Sequence, residues 1–300
     1  MAAPRATAVA PAPLAGVRQV VGDYVTLTKP RVQSLLLFTT VTTMLVAGSP
    51  SVELVLLTCL GGYLSAGGAG AVNHAYDRDI DARMARTAGR PVPSGRVSAR
   101  AATVFGFVLA ALSVVVLWLW VNPLAAALSF CGFVGYTLVY TVWLKRRTPQ
   151  NIVIGGAAGA VPPLVGWAAT TGGLDGMAVY LFAIIFFWTP PHFWALSLLM
   201  KGEYERVGVP MLPVVRGEAE TRRQILLYAV LLWAVTQLPF CAGGLGTLYL
   251  AASLVLGALF IGGAWLLTHR ADRRTALRLY LFSLAYLALL FGAMVADVKI

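Results

Sequence analysis

Nine apolar stretches at or near bilayer-spanning length divide this 300-residue chain, and nothing else constrains its fold as tightly. A span needs roughly twenty apolar residues. The stretches lie near 32–48, 52–73, 101–121, 123–144, 151–170, 177–200, 224–243, 246–268 and 276–296. In hydrocarbon every backbone polar group must be bonded internally, which leaves helices or a closed barrel. Strict alternation of apolar and polar residues is absent, so the barrel is set aside. Composition agrees: 59% of the residues are hydrophobic and only 12% charged, against about a quarter charged in a soluble domain. The expectation is an all-α polytopic membrane protein, a bundle of nine transmembrane helices. Gly155-Gly156, Gly159, Pro162-Pro163 and Pro190-Pro191 fall inside spans, where they suit close helix approach and kinks that line a cavity.

Orientation follows from the basic residues. The segment before the first span, and those after spans two, four, six and eight, hold 22 of the 23 Lys and Arg; Lys299 is the other. By the positive-inside rule the N-terminus and even-numbered loops face the cytoplasm, and nine spans put the C-terminus outside. The net charge of +11 is then a topology signal with an added anion-binding role. No nucleic-acid motif accompanies it, so no nucleic-acid partner is expected. Residues 1–22, rich in Ala and Pro, read as a disordered cytoplasmic extension, and 23–300 as a single integral-membrane domain. Cys59, Cys131 and Cys241 lie in spans without ligand spacing and read as small buried hydrophobes.

The polar exceptions are informative. Asn73, Asp77 and Asp81 stand four apart at the end of an apolar run. A step of four turns about 400° around a helix, so the three share one face. They are hard oxygen ligands suited to Mg²⁺, which completes its shell with waters and substrate phosphates. Asp79 faces away and reads as a solvated partner of Arg78. Arg86 and Arg90, with Arg83 and Thr87 nearby, supply forks that match phosphate oxygens. Lys145 and Arg146, on the same side, are candidate second-loop clamps. Such a site beside a membrane suits a lipid with a diphosphate head and an allylic tail. The cation left by departing diphosphate would need an apolar, aromatic-lined chamber, here one facing the cytoplasm.

Asn73-His-Ala-Tyr-Asp77-Arg-Asp-Ile-Asp81, followed by Arg86-Thr-Ala-Gly-Arg90-Pro-Val-Pro-Ser-Gly95, resembles the first aspartate-rich region of the UbiA-type intramembrane prenyltransferases. Leu27-Thr-Lys-Pro-Arg31, Leu144-Lys-Arg-Arg-Thr148-Pro-Gln-Asn151, Trp188-Thr-Pro-Pro-His192-Phe-Trp194, Lys201-Gly-Glu-Tyr204 and Pro210-Met-Leu-Pro213 are similar to the heme-directed branch of that family. The resemblance runs from about 24 to 296. It implies Mg²⁺-dependent transfer of farnesyl from farnesyl diphosphate to a vinyl group of heme b, giving heme O for heme-copper oxidases. It also implies a bacterial plasma-membrane location, with heme A synthase or oxidase-assembly proteins as partners. Many relatives carry a second D-x3-D in the sixth loop; this chain has Glu203, Tyr204 and Gly208 there, which leaves Glu203 as one ligand at most.

His192 is expected to ligate heme iron or grip a propionate; the plainer alternative is a neutral histidine satisfying a carbonyl freed by Pro190-Pro191. Trp188, Phe193 and Trp194 could cradle a porphyrin or serve as packing. Lys201 and Tyr204 are weaker candidates for orienting diphosphate or propionate. His74, about 100° off the metal face, reads as structural or interfacial. Two other functions stay open: a related enzyme with an aromatic or quinone-precursor acceptor, and a non-enzymatic heme or solute transporter. The transporter fits less well, because only Glu53 among the acidic residues lies inside a span.

Overall fold

The computed structural model describes residues 16–300, and among them every regular element is helical. In chain order these are α1 (Val17–Leu27), α2 (Pro30–Ala47), α3 (Val52–Tyr76), α4 (Arg78–Arg83), α5 (Ala99–Trp120) and α6 (Pro123–Val134). The last continues as a π-helical segment, Gly135–Leu144. Then follow α7 (Asn151–Gly159), α8 (Val161–Thr171), α9 (Gly176–Leu199), α10 (Lys201–Arg206) and α11 (Leu212–Val215). The chain closes with α12 (Gly217–Val235), α13 (Leu238–Cys241), α14 (Thr247–Arg270) and α15 (Arg273–Lys299).

Local chemistry sets the helix starts. The side chains of Ser51, Ser98, Asn122, Asp175 and Asp272 each accept a backbone N–H in the first turn of the helix they precede. Pro30 and Pro123 occupy first-turn positions, where a missing N–H costs nothing. Pro190 and Pro191 do not break α9, which runs unbroken through both.

Eight helical segments among the described residues are long and apolar enough to cross a membrane, so the chain is a multi-pass membrane protein. The expected first span is the exception. α2 has 18 residues, but Gln33, Thr39, Thr40, Thr42 and Thr43 are buried, and it packs within the bundle against α3, α8 and α15. Residues 17–22 of the expected extension are helical: Val17 begins α1, whose apolar stripe (Val17, Val20, Val21, Val25) is exposed and whose Asp23 pairs with Arg96 at 3.0 Å. Residues 1–15 lie outside the described residues. Cys131 and Cys241 are exposed and Cys59 half-buried, not enclosed as expected. An apolar residue in a span has lipid as an alternative to the protein core.

The bundle has two groups. α2, α3, α5, α6 and α8 pack together, as do α9, α12, α14 and α15; contacts of α2 with α15, and of α7 and α8 with α9, join them. α3 and α5 cross where Gly68 and Gly106 meet: a Cβ on Gly68 would lie 2.5 Å from the Gly106 carbonyl oxygen, and one on Gly106 2.6 Å from that of Gly68. The loops after α3, the π segment and α9 converge on one end of the bundle. Ile80 and Met84 of the first loop pack with Ile152 and with Val207, Val209 and Met211 of the third of these loops. Arg83 donates to the Val207 carbonyl at 3.4 Å across the same contact.

Candidate active site

Asn73, Asp77 and Asp81 lie under these converged loops and are nearly inaccessible, at 4%, 1% and 4% exposure. The regular helix ends at Tyr76 and α4 resumes at Arg78, so the expected single helix is interrupted. Helical bonding still bridges the break: the Asp77 N–H donates to the Asn73 carbonyl at 2.9 Å and the Asp81 N–H to the Asp77 carbonyl at 2.8 Å. The common face survives for that reason.

Cations close around these side chains. Asn73 Nδ2 donates to Asp77 Oδ2 at 2.7 Å, and Lys145 Nζ donates to the same oxygen. Arg90 pairs with Asp81 Oδ2 at 2.7 Å, while the Thr87 hydroxyl donates to the Asp81 carbonyl at 2.9 Å and pins the turn. Arg86 is exposed and forms no ion pair among the described residues. Asp77 Oδ1 is buried and accepts no hydrogen bond.

Lys29 belongs to this cluster, and sequence reasoning did not single it out. Its backbone is left-handed, φ 55° and ψ 57°, in the short link between α1 and α2. From there Nζ donates to Asn73 Oδ1 at 2.6 Å and approaches the Tyr136 hydroxyl at 3.4 Å. Burial, then the charges of Arg90 and Lys145, push its pKa down to about 7. A Lys-Pro step was the only local signal, since Pro30 forbids helix continuation through Lys29.

The π segment supplies the next wall. The Lys145 N–H reaches the Tyr140 carbonyl and the Thr141 hydroxyl the Tyr136 carbonyl, each five residues back. The wider turn brings Thr141 to 3.2 Å from Asn73 Nδ2 and carries Lys145 to Asp77.

Other expected residues land differently. Asp79 is exposed as anticipated, but its partner is Arg146, which takes both carboxylate oxygens at 2.7 and 2.8 Å; Arg78 bonds the Ala75 carbonyl. That hydrogen bonding holds Asp79 down to about 2 and raises Arg146. Arg146 therefore stands at the edge of the site, its Nη2 3.6 Å from Asp77 Oδ1. Lys201 pairs with Glu218 at 3.1 Å, away from the carboxylates. Glu203 Oε2 is buried without a hydrogen bond, and Tyr204 packs in the apolar cluster that joins the loops, its hydroxyl pKa raised by burial. His74 is 1% exposed with neither ring nitrogen bonded, which rules out an interfacial position.

His192 sits deeper, in α9. Nδ1 is 2.6 Å from the Ser283 hydroxyl of α15, and the ring lies between Trp188 and Tyr280, at centroid distances of 4.3 and 4.8 Å. It does not cap a proline-freed carbonyl, because Ser283 already holds it. Trp188 Nε1 fixes the same corner by donating to the Ser283 carbonyl at 2.8 Å. Trp194 points elsewhere, edge-on to Tyr228 at 5.1 Å, since two residues turn the helix by about 200°. His192 and Trp188 thus share a wall that Trp194 does not.

The donor set suits a hard divalent cation: one amide oxygen and two carboxylates, one of which keeps a buried oxygen with no partner. Among the described residues no group of three or more His, Cys, Asp or Glu could enclose a metal alone. Ligand phosphate and water would complete the shell, and Lys29, Arg90 and Lys145 lie against these side chains.

Comparison with known proteins places these features in context. Residues 36–290 match the model of the UbiA prenyltransferase family. A protoheme IX farnesyltransferase of Chloroflexus aurantiacus is 57% identical over 282 residues, 93% of this chain, although the chain spans only 48% of that relative's length. One from Deinococcus radiodurans is 51% identical over 289 residues and is covered to 92%, as is this chain. In fold, the chain is similar to digeranylgeranylglyceryl phosphate synthase, with a TM-score of 0.78 at 20% identity, 94% of this chain and 100% of that one being covered. It is also similar to a UbiA homologue from Archaeoglobus fulgidus bound to DMAPP and Mg²⁺, with a TM-score of 0.65 at 16% identity over 91% of this chain and 99% of that one.

Proposed function

The chain belongs to the UbiA prenyltransferase family, and from that premise we propose that it is a Mg²⁺-dependent farnesyltransferase that alkylates a vinyl group of heme b to give heme O. The observation that carries the reading is the buried Asn73–Asp77–Asp81 face, ringed by Lys29, Arg90 and Lys145 at one end of an apolar bundle. The choice of heme and farnesyl diphosphate is supported by relatives named protoheme IX farnesyltransferase. Mg²⁺ use is supported by the fold relative bound to DMAPP and Mg²⁺.

In this reading Asn73, Asp77 and Asp81 hold the cation, which when bound neutralises charge on the departing diphosphate. Lys29, Arg86, Arg90 and Lys145 take the remaining phosphate oxygens. The allylic C–O bond breaks and its electron pair leaves with diphosphate. The heme vinyl group then attacks the allylic carbon, and water adds to the resulting cation with loss of a proton, leaving a hydroxyethylfarnesyl side chain. Apolar surroundings keep water from the first cation until the vinyl group has reacted. His192, held by Ser283 and stacked on Trp188, would in this reading ligate or orient the porphyrin. We place the protein in the bacterial plasma membrane with its basic loops and N-terminus cytoplasmic. Oxidases or a heme-modifying enzyme would consume its product.

The test is incubation of detergent-solubilised protein with heme b, farnesyl diphosphate and Mg²⁺, followed by mass analysis. Heme carrying a hydrated farnesyl group is the expected product. Unchanged heme, alongside prenylation of an aromatic acid or quinone precursor, would assign the chain to another acceptor.

A further inference from the structure

Asp79 faces away from Asn73, Asp77 and Asp81, with its side chain 55% exposed, yet it holds a cation that stands beside them. Its two oxygens take both terminal nitrogens of Arg146, at 2.7 and 2.8 Å. The same guanidinium donates to the Tyr76 carbonyl at 3.0 Å and lies 4.8 Å over the Tyr76 ring. Bidentate pairing and ring stacking together leave it one orientation. In that orientation Nη2 stops 3.6 Å from Oδ1 of Asp77.

That oxygen matters because it is the fully buried carboxylate oxygen on this face that no neighbour bonds. Asp77 Oδ2 receives Asn73 and Lys145, and Asp81 Oδ2 receives Arg90. Asp77 Oδ1 is buried and has no hydrogen bond. A buried carboxylate attracts a guanidinium more strongly than an exposed one, because less solvent screens it. A shift of about 1 Å would bring Nη2 to charge-assisted bonding length with Oδ1. Asp79 and Tyr76 are what oppose that shift.

We propose that Asp79 is a positioning residue: by tethering Arg146 it keeps the guanidinium off Asp77 Oδ1 and leaves that oxygen open to a divalent cation. The inference rests on the reading that Asp77 holds the cation. Loss of the Asp79 charge frees Arg146 to close on Asp77, and the metal must then displace it. Loss of Arg146 as well removes the competitor. A pair that merely fastened α4 to the loop after the π segment would not show this pattern, since the second substitution would restore nothing.

Mn²⁺ binding, read from the free-ion EPR signal of purified protein with and without inorganic pyrophosphate, separates the possibilities without turnover. Asp79→Asn should weaken Mn²⁺ binding about tenfold, and Asp79→Asn/Arg146→Gln should return it to within about twofold of the unsubstituted protein. Arg146→Gln alone should bind Mn²⁺ at least as tightly as the unsubstituted protein, a result that does not depend on how well Asp79→Asn folds. Weaker binding by Arg146→Gln, unaltered binding by Asp79→Asn, or a double variant no tighter than Asp79→Asn would each overturn the proposal. Equal binding by the unsubstituted protein and Asp77→Ala would instead remove Asp77 as a ligand, and the proposal with it.

Discussion

One oxygen of Asp77 is bonded to its neighbours and the other is not, and that asymmetry sets the expectation for substitution here. Asp77→Ala or Asp81→Ala should lower heme O formation by on the order of 10²-fold or more in protein that still inserts, because each removes an anionic ligand. Turnover above a tenth of the unsubstituted rate in either variant would take that residue out of the site. EDTA should stop turnover and added Mg²⁺ restore it; activity indifferent to chelator would remove the metal altogether. His192 answers to a different measurement. His192→Ala should weaken heme b binding and shift its Soret band, while pyrophosphate-dependent Mn²⁺ binding stays intact. The split is expected because the ring is fixed by Ser283 and Trp188 in α9 and α15, and the carboxylates follow α3. An unchanged heme spectrum would leave His192 as a packing residue between those two helices.

Helices here owe their positions to close crossings more than to propensity. At Gly68 and Gly106 the backbones of α3 and α5 approach so nearly that a methyl on either would meet the other's carbonyl oxygen. Small residues at crossings are what allow helix packing in lipid, where no hydrophobic force drives it. Gly106→Val should therefore destabilise the folded protein by about 1–3 kcal/mol and lower its thermal midpoint in detergent. Because Asn73 and Asp77 stand at the end of α3, the same change should reduce Mn²⁺ binding. Gly262 in α14 is the contrast, with nothing within 4 Å of its added Cβ. Gly262→Ala should be neutral or gain about 0.5–1 kcal/mol. Equal effects at the two positions would mean that the crossing does not govern stability. The π segment is the other decisive element, since its wide turns aim Thr141 and Lys145 at the site.

For the whole molecule, the proposed orientation gives a direct experiment. With the three cysteines replaced by alanine, Gln150→Cys at the basic end and Leu174→Cys at the other report opposite faces of the bundle; both positions are exposed. In intact cells a membrane-impermeant thiol reagent should label Leu174→Cys and spare Gln150→Cys until the membrane is opened. The reverse labelling would invert the topology and put the carboxylate site outside the cytoplasm.

Much of this was readable along the chain. Hydropathy and basic residues marked the spans and the end where a site would form, because lipid and water sort residues by local composition. Asn73, Asp77 and Asp81 were found by spacing, because helical bonding persists through the break at Asp77. α2 is the marginal element, because Gln33, Thr39, Thr40, Thr42 and Thr43 are buried on the face that packs against the bundle. Lys29, Thr141 and Ser283 were not visible as partners. Lys29 and Asn73 are 44 residues apart, Asn73 and Thr141 68, and His192 and Ser283 91. The direction of Arg146, too, depends on Asp79 across 67 residues. Spacing along one helix assigns a face, whereas contacts between helices depend on crossings, a π turn and loop packing, which only the assembled bundle decides.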